Sequence, residues 1–249
     1  MSRNLRVLVL LSAFALVASV TLWERVWVRS SGRTLQVAIY PVAVDAPSAE
    51  FVARLRPEDF QEIATFVSSE AQRWRKRTAP PPQVMVKQSI RELPPLPTGR
   101  GQWDAIQYSL SLRWYAFRHT PFWESLAAVR LFVLYHEVKY NEPLPHSLGL
   151  QKGLLGVVHV FASDGQRAQN NVVITHELLH TLGATDKYSA DGQPTFPEGF
   201  ADYASGRRYP QFQAEIMAGR IPISQNEARI PANLTETVVG YKTASEVGW

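Results

Sequence analysis

The segment ITHELLHTLGATDKY, residues 174–188, constrains this chain more tightly than any other. His176 and His180 are four residues apart, a spacing that puts both imidazoles on one face of a helix. Glu177 lies one step round from that face, close enough to reach a water held in front of the histidines. Gly183 can take a positive φ, end the helix abruptly and turn the chain so that Asp186 points back. A fold that contains this segment has to gather a helix, its C-terminal turn and the next loop around one point.

Two neutral nitrogens beside a carboxylate base suit a catalytic zinc ion, which takes three protein ligands and keeps a fourth position for water. Two residues compete to be the third ligand. Asp186 follows His180 by six positions. Glu198, in FPEGFADY (196–203), would serve if a second helix carried it, as in gluzincins, with Asp202 as the orienting carboxylate. The early break at Gly183 and the short, turn-like interval favour Asp186. The chain has no cysteine, which excludes thiolate ligands and a cysteine nucleophile. No G-x-S-x-G stretch supports a serine triad. His119, His136, His146 and His159 fall on different elements and are read as packed or surface residues. Asp191 beside Gly192 is too little for a calcium loop.

HELLHTLGATD resembles the extended motif of the metzincin metallopeptidases, HExxHxxGxx followed by a third ligand. That ligand is usually histidine; aspartate here is similar to snapalysin-like and immune-inhibitor-A-like enzymes, and Tyr188 two residues on matches them as well. QAEIMAGRIP (213–222) carries Met217 in an apolar, glycine-bearing stretch and is read as the methionine turn beneath the metal. The resemblance covers residues 171–220. It implies zinc held by His176, His180 and Asp186, Glu177 as general base, and hydrolysis of a peptide or protein substrate, internal rather than terminal. A reading of a different class is a membrane-tethered binding or assembly protein with a structural zinc, which would need a fourth protein ligand.

The order of elements predicts an α/β (α+β) domain over residues 31–249. Strands are expected at 34–44, 83–93, 128–138 and 153–163, and helices at 57–74 and 102–118. A third helix is expected over NNVVITHELLHTLG (170–183), opened by asparagine caps. Together these predict a mixed sheet with two helices behind it, which the resemblance implies is a metzincin-like twisted sheet with an active-site helix. The strand at 128–138 is apolar on both faces and so is placed at the centre. The glycines of 153–163 suit an edge or a bulge, and as an edge the strand is a candidate on which an extended peptide could pair. After Gly183 the chain is loop-rich until a last helix at 234–247.

Residues 1–30 form a separate unit. Arg3 and Arg6 precede an apolar run from Val7 to Trp23, roughly 17 residues and at the short edge of what spans a bilayer. No small-x-small cleavage site closes it, so it is read as a signal-anchor that leaves the remaining chain extracytoplasmic, periplasmic or extracellular, or secreted if the segment is cleaved. The membrane is thereby an expected partner. Nucleic acid is not: the net charge of +4 is scattered, and RWRKR (73–77) runs straight into TAPPP.

Overall fold

The computed structural model describes residues 34–75, 80–97, 99, 101–121, 128–139, 144, 147–149 and 154–249. Strand β1 (Gln36–Ala43) leads to helix α1 (Ala46–Ala53), then a 3₁₀ turn (Pro57–Phe60) runs into α2 (Gln61–Arg75). There follow β2 (Gln83–Val86), α3 (Gln102–His119), β3 (Ala128–His136), β4 (Leu148–Gly149), β5 (Leu155–Phe161) and α4 (Arg167–Leu182). Beyond α4 lie four two-residue strands, β6 (Ala214–Glu215), β7 (Ile221–Pro222), β8 (Ala228–Arg229) and β9 (Thr237–Val238), and helix α5 (Tyr241–Val247). The protein is an α/β fold.

The main sheet runs β2-β1-β3-β5-β4, with β2, β1, β3 and β5 parallel and β4 antiparallel to β5. β3 is central and buried along all but its last residue, because both faces are covered. On one face Val129, Leu131, Val133 and Tyr135, with Val37 and Ile39 of β1, pack against α1, α2, α4 and α5. On the other, Phe132 and Leu134, with Tyr40 and Val42, meet Tyr108, Leu112, Tyr115 and Ala116 of α3. The helices therefore lie on both faces rather than two behind one. That arrangement is what a parallel sheet joined by crossover helices requires.

Three further expectations are corrected, and one element is added. β5 is not the outermost strand: Leu148 and Gly149 pair with Val157 and Gly156 along its outer edge. Asn170 and Asn171 do not cap α4, which begins at Arg167. Instead Asn170 exchanges hydrogen bonds with the backbone of Phe161, and Asn171 donates to the Asp59 carbonyl, fixing the helix to the sheet and to the turn before α2. The expected helix at 234–247 is broken into a 3₁₀ turn (Leu234–Glu236), β9 and α5. Helix α1 was not anticipated; Asp45 and Ser48 close a capping box around its first turn.

The apolar run Val7–Trp23 and His146 lie outside the described residues. Among the described residues, no helix is long and apolar enough to cross a membrane.

Candidate metal centre

α4 packs its apolar residues Val172, Ile174, Leu178, Leu179 and Leu182 into the core, and this fixes the rotation of the helix. His176 and His180 consequently sit side by side, ring centroids 4.7 Å apart and nearly perpendicular. The helix stops at Gly183, whose φ of 111° is left-handed, with the amides of Gly183 and Ala184 returning to the carbonyls of His180 and Leu179. The turn then aims the Ala184 carbonyl at His180 and brings Asp186 round to both imidazoles.

Each histidine has one nitrogen committed to the backbone. His176 Nδ1 is 2.9 Å from the Ile216 carbonyl and His180 Nδ1 is 2.8 Å from that of Ala184. A carbonyl only accepts, so Nδ1 carries the hydrogen in both rings and each Nε2 presents a lone pair. The two Nε2 atoms are 3.0 Å apart, and Asp186 Oδ1 lies 3.2 and 3.1 Å from those of His176 and His180. A tetrahedral zinc ion with bonds of about 2.0–2.1 Å holds its ligand atoms roughly 3.3 Å apart. The triangle matches that to a few tenths of an ångström, and its donor set of two imidazoles and a carboxylate is one that zinc accepts.

The electrostatics favour a cation. Burial alone would lower the His176 imidazole, but hydrogen bonds to Asp186 and Ile216 and the charges of Glu177 and Asp186 outweigh it and raise the group above its ordinary value. Burial would likewise raise Asp186, yet the two imidazoles hold its carboxyl well below the carboxylate range. Tyr188 hydrogen-bonds to Asp186; burial and then the Asp186 charge push its phenol up to about 12, so at neutral pH the hydroxyl is a donor. The Asp186 side chain remains 40 % exposed, while those of His176 and His180 are 15 % and 9 % exposed.

Glu177 is buried on the same helix, and its charge reaches Tyr108 of α3, whose phenol burial and Glu177 together raise to about 12. Glu198 lies in the turn at 196–199 and is not part of the converging group: among the described residues, only His176, His180 and Asp186 assemble in this way. Of the other histidines, His119 sits 3.2 Å from Glu92, and His136 and His159 pair with each other at 2.8 Å.

Met217 is fully buried in a turn spanning 215–219, and Gly219 there has a φ of 68°. This turn frames the centre through its backbone. Ile216 supplies the carbonyl that orients His176, and the Met217 carbonyl accepts the amide of Lys187, next to Asp186. Two acidic residues not singled out from the sequence hold this frame to α5. Glu215, with no exposed surface, accepts from the amides of Met217 (2.7 Å), Ala218 (3.1 Å) and Gly240 (3.0 Å) and from the Thr243 hydroxyl (2.7 Å). Glu246 accepts from the Thr185 amide and hydroxyl and forms an ion pair of 2.8 Å with Lys187, itself only 3 % exposed. The legible trace of Glu215 was a lone acid inside the apolar stretch before Met217; Glu246 left none.

No protein-family model matches the sequence, and no curated protein does. Solved structures similar to the chain include wild-type OgpA from Akkermansia muciniphila, 11 % identical with a TM-score of 0.42 over 87 % of this chain and 60 % of that one. They also include catalytically inactive OgpA from the same organism in complex with an O-glycopeptide, glycodrosocin, 11 % identical with a TM-score of 0.43 and the same coverage, so that the chain spans 60 % of the length of the structures it resembles.

Proposed function

We propose that the chain is a zinc-dependent peptidase of metzincin-like arrangement, with His176, His180 and Asp186 as ligands. The observation that carries this reading is the triangle of two Nε2 atoms and Asp186 Oδ1, both imidazoles being locked by backbone carbonyls in the tautomer that ligation needs. A bound zinc ion supplies Lewis acidity, lowering the pKa of a water and polarising a carbonyl. Glu177 takes the proton of the attacking water and returns it to the leaving amine. Tyr188 steadies the Asp186 carboxylate through its hydroxyl, Ile216 supplies the carbonyl that orients His176, and the Met217 carbonyl holds the Lys187 amide next to Asp186. Three converging donors among the described residues favour this over a structural zinc, which would be closed by four.

Glu177→Gln keeps the shape of the side chain and removes the base. Hydrolysis of quenched fluorogenic peptides is expected to fall at least about 100-fold while bound zinc stays stoichiometric. Undiminished hydrolysis in that variant would reject the mechanism.

A further inference from the structure

Helix α3 is amphipathic twice over. One face, with Tyr108, Leu112, Tyr115 and Ala116, is buried against the sheet. The opposite side carries a second apolar stripe: Trp103, Ile106, Leu110, Trp114 and Phe117, at steps of three and four residues, are 78, 49, 55, 62 and 59 % exposed. Trp114 and Phe117 lie against each other in a stacked pair with centroids 5.8 Å apart, which widens the ridge. The loop beside the helix, joined to it by the Tyr115 hydroxyl on the Glu92 carbonyl, exposes Leu93 and Leu96 as well. Patches of this size on a soluble surface mark a partner.

Charge and position argue which partner. The sole acid on α3 is Asp104, and it is committed to the Gly101 amide at the N-terminus. Arg113 and Arg118 are the arginines of the helix, both in its C-terminal half, with His119 as its last residue. A stripe with tryptophans, bordered by arginines, is the composition of a helix lying in a lipid headgroup layer. The chain also enters β1 at the same end: Thr120, just past α3, is held 3.0 Å from Arg130, which stands opposite Ala38. In the sequence, the residues that precede β1 include Arg3, Arg6 and the apolar run Val7–Trp23.

We infer that the outward face of α3 rests on an anionic lipid surface, its apolar ridge in the acyl boundary and Arg113 and Arg118 at the headgroups. The inference stands independently of the metal centre.

Because the chain has no cysteine, Leu110→Cys gives one labelling site on the stripe, and Asn226→Cys, exposed in the turn between β7 and β8, gives a control. Each full-length variant is nitroxide-labelled and reconstituted in vesicles of phosphatidylcholine with phosphatidylglycerol. Accessibility to oxygen and to a water-soluble nickel chelate is then read by electron paramagnetic resonance. The Leu110 label is expected to show an oxygen-to-nickel ratio severalfold above that of the Asn226 label. A ratio equal to the control overturns the inference. Shielding from both reagents also overturns it: with dipolar broadening between labels a second copy covers the stripe, and without broadening a segment of the chain itself does. Replacing Arg113 and Arg118 by glutamine should lower the ratio in anionic vesicles and not in pure phosphatidylcholine; an equal change in both overturns the headgroup contact.

Discussion

The Glu215 carboxylate takes the amide of Met217 at 2.7 Å, and the carbonyl just before that amide, on Ile216, is the one that holds His176. A buried acid is thus two hydrogen bonds from a proposed metal ligand. Glu215→Gln leaves buried donors without an acceptor, and stability should fall by about 2–3 kcal/mol. Zinc affinity, read by competition with a chromogenic chelator, should fall about 10-fold or more as the His176 ring loses its fixed orientation. Lower stability with unchanged zinc affinity would mean that Glu215 braces the fold alone.

Gly183 occupies a left-handed conformation at φ 111°, where a Cβ is disfavoured. Gly183→Ala should cost about 1–2 kcal/mol in urea unfolding. It should also displace the Ala184 carbonyl from His180 and weaken zinc binding, whereas a substitution at exposed Gly206, which has open space around it but also a positive φ, should cost stability only.

Zinc content separates the two candidate third ligands. Purified Asp186→Ala should lose stoichiometric zinc and Glu198→Ala should keep it, as measured by elemental analysis after dialysis. The opposite pattern would transfer the ligand role to Glu198 and discard the metzincin-like arrangement.

A pH dependence follows from the histidine pair at the ends of β3 and β5. Burial and the neighbouring His136 push the His159 imidazole down to about 4; burial lowers His136 too, against the pull of Asp45. Above pH 6.5 both imidazoles are neutral, folded or unfolded, and add nothing. Below it the unfolded chain gains the protons and the folded chain resists them, so stability falls as pH drops from about 6.5 to about 4. The loss at His159 amounts to about 3 kcal/mol. Urea melts of metal-free protein at pH 7 and about 4.5 should show it, and His159→Gln should flatten the difference.

Legibility followed the range of the interactions involved. β1, β3 and β5 could be read because strands buried on both faces are continuous apolar runs. The convergence of His176, His180 and Asp186 depends on one helix and its terminal turn, all within residues close in sequence. α1 escaped because it is eight residues long, and its signal was only the cap Asp45 with Ser48. The break between β9 and α5 was hidden for a different reason. A Cβ on Gly240 would come within 2.9 Å of the Glu215 side chain, so the residue type there answers to a partner 25 positions away. β4 is two residues long and exists through its pairing with β5, and the approach of Tyr108 to the charge of Glu177 depends on how α3 docks. Neither leaves a local pattern.

The hold of α5 on the centre has a consequence for the order of events during synthesis. Glu246 grips the ligand loop from 61 residues downstream of Thr185, and Gly240 and Thr243 complete the cradle of Glu215. His176, His180 and Asp186 therefore leave the ribosome well before the residues that lock their surroundings. A nascent chain at that stage holds the three proposed ligands without the contacts that Gly240, Thr243 and Glu246 make to their surroundings. On the proposed reading, tight metal binding and hydrolysis would both wait for residues 240–247 to dock.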